Sequence, residues 1–488
     1  MSRTDFYCAK EARLRDLQGL EIPGDRLAVL VDEMATQLRL RFPAGSGIAV
    51  ALPNSPAWIA VDLAIQTAGM VCIPIPDFFT AAQSQQVFES AGVVGLVHRP
   101  GQAQALASIG GFQSTGLVDA LSVAISANPF RTPSTLPPGM GQKRTFTSGS
   151  TGAPKGVPVS MEDQAALAQT LSEAIAPLEI RRHLSMLPLP VLLENIAGVY
   201  TALWSGIDVL IPDLSRVGLT GSSRFDPAPA VDLIIEQEVE SLILLPQMLF
   251  ALVGYLVRAQ RRISSLKFVA VGGAHTPPAL LMQARALGIP AYEGYGLSEA
   301  ASVICLNLPG RDRPGSVGQP LGHRQVKLAA DGEILFSDIR GTRWTETGDL
   351  GAVDAQGFVS IHGRKKNLLI TGYGRNVSPE WPETVLLGSG VFAQVIVYGE
   401  GASHLSALVF PIDRQTSDAA ITAAIEAANT HLPDYAQIGS WQRLQNPCSF
   451  ANGLATANGR IRRDVVGERL LGRVLPNGSL IALEEVLS

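Results

Sequence analysis

Charge is scarce in this chain. Asp, Glu, Lys and Arg make up 17% of its 488 residues, and the 43 acids and 38 bases are interspersed to a net charge of -5. With no basic stripe there is no electrostatic footprint for nucleic acid, which removes polynucleotide binding from the expected functions. Cysteine is scarcer. Cys8, Cys72, Cys305 and Cys448 stand far apart, without metal-ligand spacing or a disulfide framework, so they are expected to be mostly buried thiols in a reducing compartment, with no structural metal. The N-terminal stretch mixes Lys10, Arg13 and Arg15 with Asp and Glu and lacks the apolar core of a signal peptide, so the expected location is the cytoplasm. Long apolar runs are missing too. The nearest candidate, residues 241–257, is broken by Pro246 and Gln247 and falls short of the ~20 residues of a spanning helix; it reads as a buried strand followed by a helix.

What is present is apolar residue in quantity, 46% of the chain, enough for large buried cores. At ~100–200 residues per domain the length predicts about two to four folding units. Leu27, Leu30, Met34 and Leu38 recur at helical spacing, and a buried strand follows over 47–52. The alternation continues with helices over 56–68 and 81–90 and strands over 71–75 and 93–97, which implies a largely parallel, helix-covered sheet. Prolines 129, 133, 137 and 138 mark a connector. Beyond it a second α/β system is expected, with strands over 185–189, 208–211, 241–245 and 267–271 and helices over 192–204, 230–237, 248–261 and 277–287. After Pro309 two β-hairpins, over 325–337 and 351–362, announce an antiparallel subdomain. From Lys366 a smaller α+β unit follows, with strands over 367–371, 395–398 and 406–411 and a helix over 419–428. The expected fold class is therefore α/β: a large domain over residues 1–365, built of two layered subdomains and a small β subdomain, and a small mobile α+β domain over 366–488.

The most informative stretch is Thr145-Phe146-Thr147-Ser148-Gly149-Ser150-Thr151-Gly152-Ala153-Pro154-Lys155-Gly156. Alternating hydroxyls and glycines before a single cation suit a loop that wraps phosphate through backbone N–H groups. It is not a Walker loop, because counting from Gly149 puts Pro154 where the second glycine belongs. Three further runs follow in order: Val271-Gly272-Gly273-Ala274, Tyr292-Glu293-Gly294-Tyr295-Gly296-Leu297-Ser298-Glu299, and Thr345-Glu346-Thr347-Gly348-Asp349-Leu350-Gly351. A fourth is Gly363-Arg364-Lys365-Lys366-Asn367, which leads into the glycine-bearing stretch around Gly372 and Gly374. Taken singly, each reads as an ordinary turn or strand end.

Together, in this order and at these separations, they resemble the adenylate-forming superfamily of acyl-CoA synthetases, carrier-protein-loading adenylation domains and luciferases, over nearly the whole chain. The resemblance implies that Thr147, Ser148, Gly149, Ser150, Thr151, Gly152 and Lys155 clamp the ATP phosphates. Gly272, Gly273 and Ala274 would line the adenine pocket, Tyr295 and Gly296 would face the ring, Ser298 would sit near the α-phosphate, and Glu299 with Thr151 would hold Mg2+. Asp349 would take the ribose hydroxyls and Arg364 would touch the nucleotide. Lys366 would be the hinge, with Gly372 and Gly374 beside the pantetheine of CoA or of a carrier protein. Carboxylate attack on the α-phosphorus of ATP needs cations and fixed donors around like charges. The implied activity is an ATP-dependent acid–thiol ligase acting on an apolar fatty or aryl acid.

Two departures stand out. Ala455-Thr456-Ala457-Asn458-Gly459-Arg460 resembles the segment of the catalytic lysine, yet Arg460 occupies the lysine's position, and its planar fork differs from a compact ammonium. This leaves a second reading open, a degenerate protein that binds nucleotide or acyl-adenylate without turnover. In Leu187-Pro188-Leu189-Pro190-Val191-Leu192-Leu193-Glu194-Asn195 an aliphatic residue, Val191, stands where relatives often carry an aromatic or histidine. Val191 and Ile196 are the expected wall of the acid pocket.

Overall fold

The computed structural model describes residues 9–77, 79–101, 109–131, 143–148, 154–220, 224–372, 375–456 and 459–471. The first subdomain is a seven-stranded sheet in the order Gln113–Val118, Val123–Ala127, Val93–His98, Gly47–Ala51, Val71–Pro74, Lys143–Ser148 and Pro154–Val159. Its centre is parallel and its two ends are antiparallel hairpins. The helix Pro56–Thr67 begins on Ser55, whose hydroxyl caps Trp58 N, with Pro56 at the first helical position. Every residue of this helix is buried. A helix buried all round belongs between layers, and here it sits in the core shared by both subdomains, beside Tyr200 and Leu203.

The second subdomain is a nine-stranded sheet. Its parallel centre runs Ala291–Tyr295, Phe268–Val271, Ser241–Leu244, Arg182–Leu184, Asp208–Leu210. The N-terminal hairpin Arg13–Arg15 and Glu21–Pro23 completes one edge, a pairing absent from the sequence expectations because three-residue strands carry no periodicity. The strand expected over 185–189 forms instead at Arg182–Leu184. Pro188 and Pro190 lack N–H donors, while the amides of Ser185, Met186 and Leu187 go to Leu210 O and to Glu194 Oε2, so the chain leaves the sheet early. The segment 241–257 is a strand, Ser241–Leu244, and then a helix, Pro246–Ala259. Among the described residues no helix is long and apolar enough to cross a membrane.

The third unit is a four-stranded antiparallel sheet, Val326–Leu328, Glu333–Ser337, Trp344–Val353 and Val359–Arg364. The small unit pairs Phe392–Tyr398 with Leu405–Pro411 and adds Ile438–Arg443 parallel to the latter. The helices Glu380–Leu387 and Asp418–Asn429 contribute Leu386, Ile421 and Ile425 to its own core. The strand expected over 367–371 shrinks to Leu369–Ile370, because Lys365–Asn367 is a tight 3-10 turn whose side chains are drawn apart, as described below.

Candidate functional site

Three units converge on one carboxylate. Asp349 and Arg364 face each other across the antiparallel pair Trp344–Val353 and Val359–Arg364, so their approach is fixed by strand register. Arg364 Nε lies 2.7 Å from Asp349 Oδ1, and Tyr295 donates its hydroxyl to Asp349 Oδ2 at 2.6 Å. Arg364 Nη1 also donates to Thr347 O at 3.1 Å. Gly348, at φ +71°, turns the chain so that its N–H reaches Glu333 Oε1 at 2.8 Å. Burial raises the Asp349 carboxyl above the ordinary range, opposed by the Arg364 charge and the Tyr295 hydrogen bond. The Tyr295 phenol is likewise pushed far up, first by burial and then by Asp349. Tyr295 thus stays a neutral donor.

Beyond Tyr295 the chain folds tightly back on itself. A Cβ at Gly296 would run into the carbonyl oxygen of Ser302, so only glycine fits. Ala301 at φ +65° and Ser302 at φ +132° complete the reversal, which holds Ser298 and Glu299 on a single 3-10 turn, with Glu299 exposed at the surface. Its oxygen donors suit Mg2+, which takes one or two carboxylates alongside phosphate oxygens. Gly272 follows the strand Phe268–Val271, and a Cβ there would meet Gly294 O at 3.6 Å and Leu193 Cδ2 at 3.7 Å. Gly273, at φ +86°, and Ala274 follow at the exposed strand end. Thr147 and Ser148 end the strand Lys143–Ser148 and pair with Lys155 and Pro154, the first two residues of Pro154–Val159. Gly149, Ser150, Thr151 and Gly152 lie outside the described residues, as does Gly374.

The small unit brings Arg460 to this cluster. Its charge is felt by Asp349, Glu380 and Tyr295, which favour the cation, and by Arg364, which opposes it; burial is the leading cause and the net direction is down. Arg460 is nevertheless solvent-exposed over its surface as a whole, so water screens it and it remains a full cation. A Cβ at Gly459 would lie 3.9 Å from Gln247 Nε2, at the start of the helix Pro246–Ala259 of the large unit. Lys365 Nζ is tied to Asp331 at 2.6 Å and Glu333 at 2.8 Å, both in the β subdomain, whereas Asn367 Nδ2 donates to Glu380 Oε1 at 2.5 Å in the small unit. Lys366 is the exposed residue between these two anchors.

Two buried polar groups escaped the sequence reading. Lys143 Nζ lies 2.8 Å from Asp62 Oδ2, both side chains fully buried, with Asn195 and Tyr200 completing the network. It joins the base of the phosphate hairpin to two interior helices. The second group lines a cavity of about 50 Å3 on the face of the second sheet, bounded by Leu193, Phe268, Ala270, His183, Ser241 and Thr201. Ile196 is fully buried in the shared core and does not border this cavity, and Val191 is half-buried just before the helix; Leu193, Ala197 and Gly198 supply the helix's side of the wall. A polar residue in an apolar strand, such as Ser241, was the only available sequence signal.

Residues 25–338 match the family model of the AMP-binding enzyme, and residues 366–469 match that of the AMP-binding enzyme C-terminal domain. The long-chain-fatty-acid–CoA ligase FadD15 of Mycobacterium bovis is 28% identical over 228 residues, which cover 38% of this chain and 37% of that relative. The probable CoA ligase CCL9 of Humulus lupulus is 25% identical over 507 residues, covering 92% of this chain and 91% of its own. In fold, the chain resembles the O-succinylbenzoate coenzyme A synthetase of Bacillus subtilis solved with ATP and magnesium ion, at a TM-score of 0.72 and 21% identity, over 92% of this chain and 95% of that one. The chain belongs to the AMP-binding enzyme family.

Proposed function

We propose that this protein is an ATP-dependent carboxylic acid–thiol ligase. The observation that carries the reading is the meeting of Asp349, Tyr295 and Arg364 with Arg460 from the small unit. In the first step the acid's carboxylate oxygen attacks the α-phosphorus of ATP, a P–O bond forms, and pyrophosphate leaves. Asp349 accepts the ribose hydroxyls, while Arg364 and Arg460 offset the negative charge that gathers at phosphorus. The hydroxyl- and glycine-rich stretch over 145–156 holds the departing phosphates. Glu299 and Thr151 would hold Mg2+, which neutralises phosphate charge when bound. In the second step a thiol sulfur attacks the acyl carbon, the bond to AMP breaks, and a thioester forms.

The separate anchoring of Lys365 to the large unit and Asn367 to the small one supports a hinge at Lys366, with domains over 1–365 and 366–488. CoA is the favoured acceptor, in keeping with the names of the relatives, and a carrier protein's phosphopantetheine is the alternative. An apolar fatty or aryl acid fits the helix wall at Leu193, Ala197 and Gly198. Buried, unpaired Cys72, Cys305 and Cys448 fit a cytoplasmic setting.

Arg460 also supports a second reading, a binding protein that has lost turnover. Acid-dependent AMP release from the native protein, assayed over a panel of acids with and without CoA, decides between the two. Turnover supports the ligase. ATP binding without turnover, with adenylation appearing only in Arg460→Lys, supports the binding protein.

A further inference from the structure

The cavity between Leu193 and Phe268 is apolar except for His183, Ser241 and Thr201. Along the strand Phe268–Val271, Ala270 lies next to Gly272, and Phe268 is about 13 Å from it at ~3.3 Å per residue. Leu193 links the two regions, since it borders the cavity and also reaches the position a Cβ at Gly272 would occupy. His183 and Ser241 pair in register with each other and with Phe268 at the far end of the same face.

These far-end groups form a chain. Ser241 Oγ lies 3.0 Å from His183 Nδ1, and His183 Nε2 lies 3.1 Å from Glu194 Oε1. Glu194 Oε2 accepts the amides of Met186 at 3.1 Å and Leu187 at 3.0 Å, an arrangement that suits a carboxylate. A carboxylate only accepts, so Nε2 carries a hydrogen; in the neutral imidazole Nδ1 is then the acceptor of the Ser241 hydroxyl. Thr201 donates its own hydroxyl hydrogen to Ile196 O at 3.2 Å. With that imidazole neutral, both hydroxyl hydrogens are committed, and what Ser241 and Thr201 can still offer a ligand is oxygen lone pairs.

Such a group is costly in an apolar core. The helix Leu193–Tyr200 is wound as a π-helix, a rare geometry concentrated at functional sites. Within it, Gly198 makes the room, because a Cβ there would lie 2.5 Å from Glu194 Oε1 and 3.0 Å from His183 Nε2. At about 50 Å3 against the ~10–15 Å3 that one water requires, the cavity takes a compact group of several atoms.

Resting on the acid-binding reading above, we infer that His183, Ser241 and Thr201 form a specificity pocket for an acid that is apolar along its length and carries a hydrogen-bond donor, a hydroxyl or N–H, at the end remote from the carboxylate. A pocket that offers fixed acceptor oxygens favours the acid that donates to them over the analogue that cannot.

The test uses matched pairs of acids: straight-chain acids of increasing length with and without a terminal hydroxyl, and 3-phenylpropanoate with and without a para hydroxyl. AMP release with CoA gives kcat/KM for each, and thermal stabilisation of the full chain by each acid gives binding without turnover. For at least one pair the hydroxylated member is expected to be favoured by roughly tenfold or more, and Ser241→Ala and Thr201→Val should each shrink that ratio. Equal or better use of the plain acids throughout overturns the pocket but leaves the ligase standing. A preference untouched by either substitution overturns the assignment to these residues. If no acid releases AMP, the ligase reading falls, and the thermal shifts decide the pocket alone: selective stabilisation by hydroxylated acids supports it, and none refutes it.

Discussion

Two charged clusters, each built from a cation, a carboxylate and a tyrosine, lie between residues 62 and 364 and serve opposite ends. Lys143, Asp62 and Tyr200 are sealed in the shared core with every charge matched. Arg364, Asp349 and Tyr295 stand at a cleft where a third unit delivers another cation, Arg460. The difference is access. A sealed cluster can only hold elements in place, whereas a cluster at a cleft can exchange a protein partner for a ligand. The contrast separates stability from activity.

The largest expected effect comes from the sealed cluster. Lys143→Ala strands a buried carboxylate and should cost about 3–5 kcal/mol, read as a drop in the denaturant midpoint at unchanged slope. A shift comparable to that of a surface substitution would break the comparison. Next is the cleft: Arg460→Ala should slow adenylation by about 10²–10³-fold, by analogy with loss of one transition-state donor, with the unfolding midpoint little moved because Arg460 is exposed. Single-turnover formation of acyl-adenylate measures it.

His323 sharpens the sealed side with pH. It is buried beside Arg324, and burial first, then that charge, push its imidazole down to about 4 from 6.5. The unfolded chain therefore binds a proton that the folded one refuses. Stability should be full above pH 6.5 and fall as pH drops towards 4, by about 3 kcal/mol at the limit for a shift of about 2.5 units. Denaturant midpoints across that range should flatten in His323→Gln. The smallest effect belongs to Asp349→Asn, which removes a charge that burial already disfavours. ATP affinity should fall about 10- to 100-fold, as expected for one hydrogen bond to a charged group, with unfolding moved by less than in Lys143→Ala.

The cleft was far more legible in the sequence than the sealed cluster, and the reason is geometric. Asp349 and Arg364 lie in short, local runs whose glycines are demanded by the backbone, as at Gly348 and Gly363 with positive φ, so the pattern is visible without a fold. Lys143 and Asp62 are 81 residues apart and ordinary in their neighbourhoods, and only packing brings them together. The same holds for His183 and Ser241, 58 residues apart, which neighbouring strands place in register. The alternating helices and strands were readable from periodicity. The N-terminal hairpin and the early end of the strand at Leu184 were not, because strand-edge pairing and the capture of two amides by Glu194 leave no periodic trace.

The central claim is that the cleft around Asp349 performs chemistry on ATP and is more than a nucleotide seat. Acid-dependent exchange of labelled pyrophosphate into ATP tests it most directly, in the native protein beside Asp349→Asn and Arg460→Ala. Exchange that requires an acid, and that falls in both variants while their unfolding midpoints hold, is the expected result. ATP binding with no exchange for any acid would contradict it.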